Sequence, residues 1–426
     1  MRKYDSYKDS GIEWIGEVPI GWNLKKLKEL FENRNEKNED LCEDFLSITK
    51  DRGVIPYSEK GNVGNKTSED IGKYKKVYPE DIVVNPMNII IGSVGVSKYY
   101  GVLSNVYIVL KPTKILSGYG SYIFHHKSFQ LHLKKICYGI MELRESLNKI
   151  EFFVEKLPLP TLPEQQQIVS YLDRKTSQID SLIEKTQRKI ELLKEKRTSL
   201  INEVVTKGLN PNVEMKNSGV EWIGEIPSHW ETPQIRYITE ILRGKFSHRP
   251  RNDERLYEGI YPFIQTGDIV SSGKYLTKYT QTLNEWGYSV SKEFPIGTLV
   301  MTISGNIGDV SILKIKSCFP DSIIGFFPKS VTNEEFLFYM FTSLKQELIK
   351  NSTVSTQMNL NVERVGSIYC TLPPPSEQNE IVSYLDEHTQ LIDKTISIEE
   401  KRIELLKEYR QSLISEVVTG KRKVVD

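Results

Sequence analysis

The sequence predicts an α+β chain organised as an internal repeat, in which two mixed α/β blocks alternate with two long helices. Three observations predict it. A short tryptophan-bearing box occurs twice. A long amphipathic segment also occurs twice. The stretches between them are strand-rich and barely resemble each other. Self-similarity at a fixed offset is the signature of duplicated architecture and outranks any single-element reading.

The box runs Ser10-Gly-Ile-Glu-Trp14-Ile-Gly-Glu-Val-Pro19 and returns as Ser218-Gly-Val-Glu-Trp222-Ile-Gly-Glu-Ile-Pro227, an offset of 208. Each copy reaches a further tryptophan at the same spacing, Trp22 and Trp230. The longer segment, 168–206, returns at an offset of 213 with 24 of 39 positions identical. Within one chain, such similarity measures shared constraint. The repeated parts are expected to do one job twice, and the divergent blocks a related job on different targets.

The first block, roughly 23–157, carries β-type runs at 81–85, 89–96 and 106–110 and a helical stretch at 122–138. The second, roughly 231–371, has similar runs at 298–303, 310–313 and 323–327 and a helical stretch at 333–350. Gly92 and Gly308 occupy comparable strand-and-turn settings.

The 168–206 segment reads as one helix of about 39 residues, roughly 58 Å long. Leu172, Ile179, Thr186, Leu193 and Leu200 recur every seven residues, with Ile183, Ile190, Arg197 and Val204 as a second row. The second copy has Leu385, Ile392, Glu399, Leu406 and Leu413, with Ile396, Ile403, Arg410 and Val417. Pro160 and Pro163 precede the first helix and Gly208 follows; Pro373 to Pro375 precede the second and Gly420 follows. A seam that long cannot face water, so the two copies are expected to pair. Either relative direction satisfies the pattern. Thr186, Glu399, Arg197 and Arg410 are the polar seam positions that can set register.

With 57 basic and 56 acidic residues the formal charge is +1, so nucleic-acid binding would have to come from local patches. The clearest is Arg243 to Arg255, with four arginines and one lysine. From it Arg243, Lys245, His248, Arg249 and Arg251 are candidate phosphate or guanine contacts. Thr266 and Lys274 follow in the same block. In the first block the basic and aromatic candidates are Lys50, Arg52, Lys73, Lys75, Lys76, Lys98 and Tyr99. Asn85, Asn88, Ser93, Ser304, Asn306, Gln357 and Asn359 are polar enough to pair with base edges, since amides match adenine.

Catalytic signatures are missing. Cys42, Cys137, Cys318 and Cys370 lie far apart, and the six histidines form no ligand-spaced set. Asn85-Pro-Met-Asn88 departs from an Asn-Pro-Pro-aromatic box in two positions, and Gly92-Ser-Val-Gly95 is no phosphate loop. No apolar run approaches the ~20 residues of a membrane helix, and the start of the chain lacks an apolar signal region. The residues point to a cytoplasmic protein that binds and positions. A protein-interaction scaffold on a coiled coil, or an enzyme with an unrecognised site, are the competing readings.

The boxes Trp-Ile-Gly-Glu-(Val/Ile)-Pro-x-x-Trp resemble those of the specificity subunits of type I DNA restriction-modification systems. So do the proline-rich helix starts at Leu159 and Leu372, each followed by Glu-Gln and Ile-Val-Ser-Tyr-Leu-Asp, and the core Asp81-Ile-Val-Val-Asn with Ile91-Gly-Ser-Val-Gly-Val. The resemblance covers essentially the whole chain. It implies a non-catalytic subunit with target-recognition domains at 1–157 (box at 10–22) and 210–371 (box at 218–230). Helices at 158–209 and 372–426 would pair antiparallel as spacer and docking element, with pseudo-twofold symmetry. Each recognition domain would read half of a bipartite site on double-stranded DNA. Two modification subunits would dock and methylate adenine N6, and two restriction subunits can join them. S-adenosylmethionine, ATP and Mg²⁺ would belong to those partners, with no cofactor in this chain.

Overall fold

The computed structural model describes residues 3–61, 71–138, 146–350 and 360–424. They divide into two compact units. Unit 1 comprises Met1–Gln187 with Lys401–Asp426, and unit 2 comprises Arg188–Glu400. The central helix, Leu162–Lys207, and the C-terminal helix, Pro375–Val418, each contribute a segment to both.

Unit 1 is built on a four-stranded antiparallel sheet in the order Phe31–Asn33, Ile108–Pro112, Ile82–Val84, Val94–Val96. Its central strands pair Ile82 with Leu110 and Val84 with Ile108. These side chains face one way, onto Tyr119, Ile123 and Phe124 of the helix Ser117–Phe124. Val83 and Val109 face the other way, onto the hairpin of Leu46–Thr49 and Gly53–Pro56. Both faces are covered, which is why the strands read as continuous apolar runs.

Unit 2 repeats this order with Thr239–Arg243, Ile323–Pro328, Leu299–Thr302 and Val310–Leu313, and adds Tyr275–Leu276 at the edge. The two blocks therefore share a sheet that their sequences do not reveal. Gly92 (φ +89°) and Gly308 (φ +82°) sit in the same turn of that sheet, in a backbone region that disfavours other residues. Unit 2 carries a second four-stranded sheet, in the order Gln281–Leu283, Tyr257–Phe263, Ser317–Cys318, Glu293–Phe294.

Three sequence expectations need correction. The run 89–96 is a 3₁₀ turn at Ile89–Ile91 before the strand Val94–Val96. The helix expected at 122–138 is two helices, Ser117–Phe124 and Lys127–Lys134, because His126 leaves the helix and caps the second one through the Phe129 amide. Likewise 333–350 splits into Glu334–Ser343 and Lys345–Lys350. Pro163 lies inside the first turn of the central helix, where its missing N–H costs nothing.

Each unit grips a helix start through the same bonds. Trp22 Nε1 donates to Glu164 at 3.1 Å, and Trp230 Nε1 donates to Glu377 at 2.9 Å. Buried Gln165 accepts from the Leu116 amide and donates to the Pro160 carbonyl; buried Gln378 does so with Asn333 and Pro373. Tyr122 donates to Asp173 at 2.6 Å, and Tyr339 donates to Asp386 at 2.5 Å. Burial and the neighbouring carboxylate hold both phenols protonated, far above the ordinary tyrosine value.

Within each unit the two helical segments run antiparallel. In unit 1 Arg410 Nε meets Asp180 at 2.9 Å, and in unit 2 Arg197 Nε meets Asp393 at 2.9 Å. Lys189 pairs with Glu399 at 2.5 Å. The hydroxyl of Thr186 turns back to its own helix at Leu182. Leu172, Ile179, Ile190, Val204, Leu385, Ile392, Ile396, Ile403, Leu413 and Val417 are buried, while Ile183, Leu193, Leu200 and Leu406 are half-buried.

Candidate nucleic-acid interface

In unit 2 the basic segment follows the edge strand Thr239–Arg243. Arg243 Nε donates to the Asp321 carbonyl at 2.6 Å, and Arg251 pairs with the Asp321 carboxylate. Arg249 lies 3.8 Å from that carboxylate and donates to the Phe246 and His248 carbonyls. Three guanidinium groups thus gather around Asp321, two at its carboxylate and one at its backbone carbonyl, and keep a positive surplus, the condition for gripping phosphates. Lys245 is exposed beside them. His248 and Arg255 both bind Asp253, whose carboxyl is held well below the ordinary range mainly by the Arg255 hydrogen bond. Arg255 also lies over the Trp286 ring at 5.1 Å.

This segment borders a groove of about 780 Å³. Phe246, Tyr257 and Phe263 form its aromatic floor; the rings of Phe246 and Phe263 are 5.0 Å apart. Arg251, Asn252, Gln265, Thr280, Gln281 and Thr282 are among its polar lining. Gln265 donates its amide to Gln281 at 2.9 Å. Amides and a guanidinium above an aromatic floor can hydrogen-bond base edges.

The groove retains Arg251 from the sequence candidates; Thr266, the first residue of the helix Thr266–Ser272, is not among its lining residues. The groove adds Asn252, Gln265, Gln281, Thr280 and Thr282, which sequence reasoning missed. Gln265 and Gln281 are 16 residues apart, and only the pairing of Tyr257–Phe263 with Gln281–Leu283 brings them together. Ser304 and Asn306 lie away from it in the turn at Gly308, where Thr302 donates to the Asn306 carbonyl. Gln357 and Asn359 fall outside the described residues.

Lys274 is a correction. Its ammonium pairs with Asp386 at 2.5 Å and Glu335 at 3.5 Å, about 5 Å from the rings of Tyr275 and Tyr339. It fastens the unit 2 sheet edge to the C-terminal helix and has no charge to spare for a phosphate.

In unit 1 the candidates scatter. Lys50, Asn88, Lys98 and Tyr99 are exposed. Lys73 is exposed in the turn Ile71–Lys73. Arg52 pairs with Glu59, and Lys76 pairs with Asp40 at 3.2 Å and Glu36 at 3.4 Å. Lys75, Asn85 and Ser93 are buried, so the interface assignment is corrected for all three. The Lys75 ammonium donates to the Tyr107 carbonyl at 2.8 Å, and burial pulls its pKa down to about 8. Asn85 accepts from the Met87 amide to shape the turn, with Ser93 behind it. Alternation along the strand Lys75–Val77 turns Lys75 inward, whereas Asn85 and Ser93 are buried in the connection between Ile82–Val84 and Val94–Val96; local composition shows neither.

Among the described residues no group of three or more His, Cys, Asp or Glu could hold a metal ion, and no helix is long and apolar enough to cross a membrane.

Comparison with known proteins places this geometry. The profile of the type I restriction modification DNA specificity domain matches residues 19–193 and 227–408. A Methanocaldococcus jannaschii protein assigned as the MjaX type I restriction enzyme specificity subunit is 27% identical over 433 residues, covering 96% of each chain. A chain from a study of complex assembly and conformational transition in a type I restriction-modification system superposes with a TM-score of 0.74 at 14% identity, over 94% of this chain and 98% of that one. The HsdS subunit from Thermoanaerobacter tengcongensis gives 0.55 at 15% identity, over 95% and 98%.

Proposed function

The chain belongs to the type I restriction-modification DNA specificity family, and from that membership we propose that it is the subunit that selects the DNA sequence for a type I complex. The carrying observation is the repetition of one sheet and one set of helix anchors around two unlike surfaces, one of which presents an amide-lined groove bordered by an arginine-rich segment. A duplicated scaffold with divergent faces suits a double-stranded target whose two halves differ.

In this reading residues 1–157 and 210–371 are the recognition regions, and 158–209 and 372–426 the spacer and docking elements. Each recognition region reads half of a bipartite site. Arginines hold phosphates and set register, while amides and hydroxyls select bases. The helices set the gap between half-sites and dock two modification subunits that methylate adenine N6; two restriction subunits complete a cleaving complex. The chain positions DNA and performs no covalent step. S-adenosylmethionine, ATP and Mg²⁺ are held by the partners, in the cytoplasm.

The test is a single-molecule methylome of cells carrying this chain with its modification subunit, against cells lacking the chain. The expected result is an N6-methyladenine motif of two short half-sites with a fixed gap. With the modification subunit competent, a methylome that does not depend on this chain overturns the reading. Removing one turn from both helices is expected to shift the gap.

A further inference from the structure

We propose that Glu258 selects one base of the half-site read by unit 2, accepting a hydrogen bond from the exocyclic N4 amino group of a cytosine; this rests on the sequence-specificity reading above. Glu258 lines the groove beside Arg251, Asn252, Gln265 and Gln281. Its backbone has φ +61°, a region costly for a residue with a side chain.

A β-bulge imposes that conformation. Tyr257 and Tyr261 both face Leu283 across the strand pair, so the residues between them are looped out. The loop is pressed tight at Gly259, where a Cβ would come 2.3 Å from Asn284 Cα. Glycine would relax the strain at 258, yet glutamate stands there. Its carboxylate is exposed and makes no hydrogen bond or ion pair among the described residues. The fold therefore holds a strained backbone beneath a side chain that has no internal task, and strain of this kind collects at functional positions.

The chemistry of the carboxylate narrows its target. It only accepts hydrogen bonds, and it repels phosphates and the O6 and N7 acceptors of guanine. In the major groove only cytosine N4 and adenine N6 donate, and adenine sets its N7 acceptor beside N6. Cytosine fits without that penalty. Arg251, in the same groove, has the donors that suit the paired guanine.

Two variants of the full chain, assembled with its modification subunit, test this by methylome sequencing: Glu258→Gly, which suits the positive φ, and Glu258→Gln, which keeps the shape and loses the charge. Both are expected to preserve the gap and one entire half-site. Both are expected to relax a single G·C position of the other half-site by about 5- to 150-fold, the range that one base contact confers. An unchanged motif in Glu258→Gly overturns the proposal. So does relaxation at an A·T position or in both half-sites. If both variants unfold, or lose methylation at every site while remaining folded, Glu258 is structural or needed for assembly, and the proposal also falls. If the parent chain itself yields no motif, the failure lies in the sequence-specificity reading.

Discussion

Unit 1 secures the start of the central helix with Trp22, Gln165 and Tyr122; unit 2 secures the start of the C-terminal helix with Trp230, Gln378 and Tyr339, through the same bonds. Away from these anchors the units part. In unit 2 the ammonium of Lys274 bridges Asp386 and Glu335. In unit 1 Gly118 stands where the matched tyrosines place Glu335, and a cavity of about 620 Å³ lies beside Asp173 and Tyr122. Unit 2 gathers its arginines around Asp321 and Asp253 beside one groove, whereas unit 1 neutralises or buries much of its basic set. Duplication preserved what grips the helices, because a helix seam tolerates few solutions. It released the loops, whose side chains answer to different targets.

The comparison can be broken most forcefully at the tryptophans. Trp22→Ala and Trp230→Ala each empty a fully buried site, and each is expected to cost about 3–5 kcal/mol. Hydrogen exchange should report the loss only in the unit that carries the substitution. Equal loss in both units would show that they do not unfold separately.

Acid should distinguish the units next. Buried His126 accepts from the Phe129 amide and faces Ser415 at 2.7 Å and the Trp14 ring at 5.6 Å. Burial, with Lys421 acting in the same direction, lowers its pKa to about 4. The unfolded chain then binds the proton more readily than the folded one, so the stabilisation is complete above the ordinary histidine value and fades as pH falls toward 4. Unit 1 should lose on the order of 2–3 kcal/mol across that window. His126→Asn, which keeps the helix cap, should flatten the loss in denaturant melts read at several pH values.

A smaller effect sharpens the contrast at the helix anchors. Asp386→Asn leaves Lys274 with Glu335 alone and weakens the Tyr339 bond, and should cost about 2 kcal/mol, whereas Asp173→Asn weakens only the Tyr122 bond and should cost about 1 kcal/mol. Equal costs would mean that Lys274 adds nothing to the anchor. The smallest effect concerns the surface pairs. Arg197→Ala and Arg410→Ala remove equivalent ion pairs, and each should cost at most about 1 kcal/mol, nearly the same in both units and less at high salt.

Much of the scaffold was legible. The heptad rows from Leu172 to Val204 and from Leu385 to Val417 mark the long helices, since a buried stripe must recur with the helical period. The basic segment at 243–255 was visible as composition. The groove was not, because Gln265 and Gln281 meet only through strand pairing. The roles of Lys75 and Lys274 were misread for a related reason: a lysine's sequence neighbours do not tell whether a carbonyl or two carboxylates await it in space.

By itself, the sequence determined the duplication, the two long helices, their apolar seam and the alternation of shared with divergent segments. Those properties follow from periodicity and self-identity, which are local or internal to the chain. Tertiary structure alone decided that the divergent blocks share one sheet order, that Tyr122 and Tyr339 do the same work, and that Glu258 is twisted into a groove with no partner among the described residues. Strand pairing and side-chain closure join residues far apart in the chain, and sheets accept many apolar sequences at the same register. Such contacts leave little trace in either copy's sequence.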